Sequence, residues 1–152
     1  MKILVDKKIL IAGVIGAIIV IVIVAYWLPS QAGPKLPNVR FSDFSPTSAQ
    51  SIKQGGLFTI SFKVIDDEQY AVPNVTVQTT FNGTSQYFSL DKPTIQISPP
   101  IGGNGGSSGT QTITVMGNNL GGLSSIGTKF TVALQVGSIV TDTRQIDVSL
   151  TQ

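Results

Sequence analysis

The chain has 152 residues and contains neither cysteine nor histidine. No disulfide can staple it, no thiolate or imidazole can hold a metal or haem, and no nucleophile–histidine dyad or triad can form. A lipoprotein anchor is excluded on the same ground, since there is no cysteine to acylate. Charge is scarce too, at 12% Asp, Glu, Lys and Arg against roughly a quarter in an ordinary soluble domain. Lys and Arg number 10 and Asp and Glu number 8, but the excess is local. Lys2, Lys7, Lys8 and Lys35 all precede residue 38. Beyond it, six cations (Arg40, Lys53, Lys63, Lys92, Lys129, Arg144) face seven carboxylates (Asp43, Asp66, Asp67, Glu68, Asp91, Asp142, Asp147). No basic stripe interleaved with aromatics exists, so nucleic acid is not an expected partner.

What the chain does have is one long apolar run. Ile9–Leu28 is 20 residues without a charge. As a helix it would be roughly 30 Å long, the thickness of a bilayer's hydrocarbon core. A helix buried in a soluble core would carry a polar stripe at a 3.6-residue period, and this one carries none. Tyr26 and Trp27 close the run, where amphipathic rings favour the membrane interface, and Pro29 stops the helix. Lys2, Lys7 and Lys8 before the run outweigh Lys35 after it, which orients the N-terminus to the cytoplasm. The spacing of Gly13 and Gly16 is not that of a helix-dimer motif. The rival reading is a cleaved signal peptide ending at Ser30-Gln31-Ala32, but the run exceeds the usual h-region of about 7–15 residues. A pilin-type leader would need a small residue just before the run, and Lys7-Lys8-Ile9-Leu10 lacks one.

The expected organisation is a cytoplasmic N-terminus (1–8), a transmembrane signal anchor (9–28), a Pro/Gly linker (29–37) and an extracytoplasmic domain (38–152). The outer domain reads at period 2. Phe58, Ile60, Phe62 and Val64 fall on one face of a strand. Similar patterns occupy 39–41, 75–79, 87–90, 94–97, 112–115, 130–136 and 146–150. Some seven or eight short strands separated by Gly, Pro, Asn and Asp argue for an all-β, antiparallel two-sheet sandwich carried on the single helix. The polar strand positions are mostly Thr, Ser and Gln, a weaker solubility device than charge, which suggests a surface covered by a partner or glycan.

Candidate chemistry is thin. Residues 99–109 are rich in glycine, but they are neither preceded by a buried strand nor followed by a helix and a lysine as a phosphate loop requires, so they read as a flexible connection. In 117–127, Leu120, Leu123 and Ile126 are unusually apolar for a loop and read as a cap on the sandwich, with a contact patch as the alternative. Asp66, Asp67 and Glu68 are the one acidic cluster and a weak Ca²⁺ candidate, since no Asp-x-Asp-x-Asp spacing accompanies them; a solvated turn is the plainer reading. Nothing selects a pair of facing carboxylates for glycoside hydrolysis. No catalytic residue, cofactor or small-molecule substrate is expected. Asn74-Val75-Thr76 and Asn82-Gly83-Thr84 are N-glycosylation sequons.

Gln54-Gly55-Gly56 leading into Leu57–Asp66, followed by Tyr70-Ala71-Val72-Pro73-Asn74-Val75-Thr76-Val77, resembles the Ig-like domains of bacterial surface proteins of the invasin/intimin kind. Gly109–Val115 resembles their later glycine-led strand. The resemblance covers about half of the outer domain and implies adhesive, spacer or partner-binding roles. The whole-chain layout is similar to archaeal archaellum stator proteins that grip the surface layer. The expected function is thus a membrane-anchored binding or structural module of the cell envelope, in contact with membrane lipid and with an S-layer or surface-filament protein. The alternatives are an accessory subunit of a membrane complex and a pilin-like filament subunit.

Overall fold

The computed structural model describes residues 36–83 and 85–152. The apolar run 9–28, with Tyr26 and Trp27, lies outside the described residues, as does the linker up to Lys35. Leu36–Gln152 forms a compact unit with its own core. Among the described residues no helix is long and apolar enough to cross a membrane.

The unit is an all-β sandwich of ten strands: β1 (Val39–Ser45), β2 (Gln50–Lys53), β3 (Leu57–Asp66), β4 (Val75–Phe81), β5 (Phe88–Leu90), β6 (Thr94–Gln96), β7 (Gly106–Ser107), β8 (Gln111–Gly117), β9 (Ser125–Val136) and β10 (Ile139–Thr151). One sheet runs β1-β3-β8-β5, with β7 also paired to β3; the other runs β2-β10-β9-β4-β6. All pairings are antiparallel except that of β2 with β10, which is parallel.

The period-2 pattern explains the layering. Phe58, Ile60, Phe62 and Val64 of β3 point inward, and so do Val75 and Val77 of β4, Phe130, Val132 and Leu134 of β9, and Ile146, Val148 and Leu150 of β10. The alternate residues stay wet, as a sheet with one covered face requires. Aromatic rings pack between neighbouring strands of a sheet and, at Phe81–Phe88, between the two sheets. Phe41 meets Phe62 edge-on at 5.1 Å, while Phe81 lies 5.1 Å from Phe88 and 5.0 Å from Phe130, geometries that suit the ring quadrupoles. The inward hydroxyl of Thr79 donates to the carbonyl of Pro93 at 2.9 Å, so its burial leaves no orphaned polar group.

The sandwich departs from the expected eight strands at three places, each with a physical reason. β2 has a single inward apolar residue, Ile52, too little to register as alternation. β10 begins at Ile139 instead of Ile146, because a bulge between Val140 and Asp142 shifts the register and breaks the period. The third is the glycine-rich segment, which is not a free loop. Ile101 is buried and bridges to Val72. Gly106 and Ser107 form β7 on the upper part of β3, and Ser108 Oγ accepts the Val64 amide at 3.0 Å. β7 thereby extends the line of β8 along the same edge of β3.

Strand directions give the sandwich two distinct ends. At one lie the starts of β1, β4 and β10 and the ends of β3 and β9. Backbone bonds from Asp67 N to Asn38 O (3.0 Å) and from Gly137 N to Asn74 O (3.1 Å) tie it together. At the other lie the starts of β3 and β9 and the ends of β8 and β10, tied by Gln54 N to Thr151 O (2.8 Å) and Gly117 N to Gly56 O (2.9 Å). Leu120 is buried at this second end as a cap, Ile126 is half-buried within β9, and Leu123 faces solvent.

Candidate functional site

The acidic cluster sits where β3 ends. Asp66 occupies the inward parity of β3 and is completely buried. Its Oδ1 accepts the Glu68 amide and its Oδ2 the Val72 amide, both at 2.9 Å. A carboxylate that accepts two backbone N–H groups closes the 67–72 turn, much as a helix cap closes a helix. Asp67 faces outward and pairs with Arg40 Nε at 2.6 Å. That hydrogen bond, and after it the carboxylate's charge, raises the Arg40 guanidinium above its ordinary pKa. Glu68 Oε1 accepts the Asn38 amide at 2.7 Å. The three carboxylates therefore diverge: one inward, one to the β1 edge, one to the chain leading into β1. Asp142 does not join them. Its Oδ2 accepts the Phe41 amide at 2.9 Å and Arg144 Nη2 at 3.1 Å, linking β10 of one sheet to β1 of the other. Among the described residues no group of three acidic side chains could hold a metal ion.

The remaining carboxylates are engaged as well. Asp91 Oδ1 accepts the Thr114 amide at 2.7 Å, and Asp147 pairs with Lys129 at 2.9 Å, directly opposite in the β9–β10 register. Asp43 accepts Lys63 Nζ at 2.8 Å. The hydrogen bond from Lys63, and secondarily its charge, holds the Asp43 carboxyl below the ordinary aspartate value. A carboxyl with a lowered folded-state pKa stabilises the fold above its unfolded pKa. That contribution disappears as pH falls through the folded value, in the acidic range below the ordinary aspartate pKa. Both partners are solvent-exposed, so water and salt keep it small. In an NMR carboxyl titration, Asp43 is expected to show a midpoint below the ordinary value, and Lys63→Ala should return it upward. An unchanged midpoint in the variant would remove Lys63 as the cause.

One motif escapes a reading by composition. Ser89-Leu90-Asp91-Lys92 has the Ser-x-x-Lys spacing of some serine hydrolases. Here it lies at the end of β5, not on a helix. Ser89 Oγ donates to Asn118 Oδ1 at 3.1 Å, and Lys92 Nζ donates to the Thr112 carbonyl at 3.5 Å. The two side chains are committed to different partners. The sequons fall at opposite ends of β4. Asn74 is exposed with φ +56°, and its carbonyl accepts Gly137 N. Asn82 is exposed just after β4, and Thr84 of its sequon lies outside the described residues.

The outward face of the β2-β10-β9-β4-β6 sheet is a polar surface built mainly from Thr and Gln. Thr76 and Gln78 of β4, Thr131 and Gln135 of β9, and Gln145 and Thr151 of β10 all lie on it by register. Its hydrogen bonds run mostly between neutral side chains, for example Gln135 Nε2 to Gln78 Oε1 at 3.2 Å, with the Lys129–Asp147 ion pair on the same face. A shallow groove of about 480 Å³ crosses its β9–β10 part, lined by Gln50, Asn82, Lys129, Asp147 and Ser149; Gly127, opposite Ser149, brings no side chain to fill it.

No family model matches this sequence, and no curated protein matches it either. Solved structures do resemble it in fold. The CARDB domain of a Pyrococcus furiosus protein superposes with a TM-score of 0.51 at 13% identity, over 77% of this chain and 97% of that one. Domains 4 and 5 of the S-layer protein SbsC superpose more loosely, with a TM-score of 0.42 at 16% identity, over 76% of this chain and 54% of that one. The Escherichia coli chaperone DraB gives 0.45 at 13% identity, over 74% and 55%. At such identities the likeness is one of fold: the chain carries an Ig-like β-sandwich.

Proposed function

We propose that this chain is a non-catalytic structural or binding module of the cell envelope. In this reading residues 9–28 span the plasma membrane once with the N-terminus in the cytoplasm, and the sandwich is displayed outside to contact an S-layer or surface-filament component. The observation that carries the non-catalytic part is the fate of the seven carboxylates. Asp43, Asp67, Asp142 and Asp147 are paired with cations, and Asp66, Glu68 and Asp91 accept backbone amides. A general acid–base pair or a cation site needs carboxylates that converge and are free to accept; these are spread around the sandwich as braces. The anchored part rests on the apolar run and its flanking lysines. The contact surface that best fits is the Thr/Gln face of β4, β9 and β10, polar enough to be displayed and too poor in charge to repel a close-packed neighbour.

Because Leu36–Gln152 has its own core, it can be tested as a separate fragment. Purified, it should co-sediment saturably with isolated cell envelopes of the source organism, where an unrelated Ig-like sandwich does not. Absence of retention above that control would contradict the proposal. Replacing 9–28 with an unrelated transmembrane span should leave function intact, whereas an accessory subunit that works through its helix would lose it.

A further inference from the structure

The large apolar side chains left in water are not scattered. Leu57, Met116 and Leu123 lie at the end where β3 and β9 start. Leu36, Tyr70, Ile139 and Val140 lie at the opposite end, exposed by 65%, 76%, 38% and 51%. Three sets of hydrogen bonds fix that second group to one end. Asn38, two residues after Leu36, bonds through its amide and carbonyl to Glu68 and Asp67, two and three residues before Tyr70. Asp142, which follows Val140 by two residues, holds the Phe41 amide. Gly137, two residues before Ile139, donates to Asn74. The β9–β10 turn, the 67–72 turn and the residues leading into β1 thus crowd round one end, and each brings an apolar side chain to it.

This is also the end from which the chain leads back to the apolar run. Eight residue steps separate Leu28 from Leu36, a contour of at most roughly 28 Å when fully extended. On the anchored reading, a tether that short limits how far this end of the sandwich can stand from the surface Leu28 reaches. The side chains suit a lipid interface: a tyrosine, with apolar ring and polar tip, among branched aliphatics. The carboxylates nearest to them each have a partner: Asp67 is held by Arg40, Asp142 by Arg144 and the Phe41 amide, and Glu68 by the Asn38 amide.

We propose that Leu36, Tyr70, Ile139 and Val140 form a membrane-resting foot, which seats the sandwich on the lipid interface with a fixed end down and leaves the opposite end, with Leu57, Met116 and Leu123, directed away from it. The inference depends on the anchored reading given above and deepens it: a flexible tether would let the sandwich tumble, whereas a foot sets which surfaces a neighbouring envelope protein can reach.

The test uses the full chain in phosphatidylcholine/phosphatidylglycerol vesicles whose acyl chains are brominated near the headgroup. Trp27 is the chain's only tryptophan, so native fluorescence reports the anchor. On a Trp27→Phe background, Tyr70→Trp, Val140→Trp and Leu57→Trp report the two ends. The expected result is quenching at 70 and 140 at least threefold stronger than at 57. Equal or absent quenching at 70 and 140, with native Trp27 quenched, overturns the foot and leaves the anchor standing. An unquenched Trp27, in a chain that stays in the aqueous phase without detergent, overturns both. Positions 70 and 140 shielded from aqueous acrylamide but unquenched by bromine would mean that a second copy or another protein covers the patch, which also overturns it.

Discussion

Asp66→Ala is expected to destabilise the sandwich by about 2–4 kcal/mol, since it leaves two part-buried backbone amides without their acceptor, at about 1–3 kcal/mol each. The carboxylate is fully buried, and both oxygens are committed, one to Glu68 N and one to Val72 N. The 67–72 turn that they close leads into Val72, whose bridge to Ile101 holds the glycine-rich segment. Asp66→Asn should fall between wild type and alanine, because the amide oxygen can satisfy one N–H while its NH2 confronts the other. Urea unfolding of Leu36–Gln152 checks this: the midpoint should fall at an unchanged m-value. A loss below about 1 kcal/mol for the alanine variant would show that the turn does not depend on the side chain, since a lost pair of buried bonds costs more than that.

Gly106→Val is the second large effect. A Cβ at 106 would stand 1.8 Å from the Gly102 carbonyl oxygen and 2.7 Å from its carbon. Both are backbone atoms, so no rotamer change relieves the clash and the segment must leave its place. With it go the β7 pairings to Ile65 and Asp66, the Gly105 N–Asp66 O bond of 2.8 Å, and the Ser108–Val64 contacts. Overpacking and several lost buried bonds together should cost on the order of 2–4 kcal/mol. Hydrogen exchange should show protection lost through local opening at Gly105 and Ser108, while Ile60 and Val132 lose only what the global destabilisation requires. Gly102→Ala is the control. Its Cβ would meet open space and its φ is not left-handed, so it should stay within about 0.5 kcal/mol of wild type.

These two residues also mark where the sequence was legible and where it was not. The class of the domain 38–152 follows from alternation alone, because a sheet covered on one face forces period 2: Phe58 to Val64, Phe130 to Leu134 and Ile146 to Leu150 are read in register and point inward as expected. Asp66 continues the same parity as Val64, yet its charge makes it look like part of a solvated turn with Asp67 and Glu68. Its burial depends on two amides, one of them six residues on, that only the folded turn brings round. Composition likewise makes 99–109 look like a free loop, because glycine signals flexibility when its partners are out of view. Here Gly106 is required by a close approach within the segment, and the amides of Asn104, Gly105 and Ser108 find acceptors on β3 and the turn after it. β2 and the first half of β10 were illegible for a different reason: one has a single apolar residue, and the other carries a bulge that breaks the period. The candidate Ca²⁺ residues Asp66, Asp67 and Glu68 are neighbours in sequence whose side chains part in space. The exposed apolar side chains at the two ends leave no periodic trace, since they come from strand ends and turns far apart in sequence.

The central claim, that the sandwich stands outside a membrane crossed once by residues 9–28, is open to one direct measurement that the composition makes clean. The chain has no cysteine, so a single introduced thiol is unique. In intact cells expressing the full chain, Thr112→Cys, exposed on the outer face of β8, should react with a small membrane-impermeant maleimide, while Lys2→Cys should react only after permeabilisation. Labelling of Lys2→Cys in intact cells, or protection of Thr112→Cys until the membrane is opened, would contradict the account.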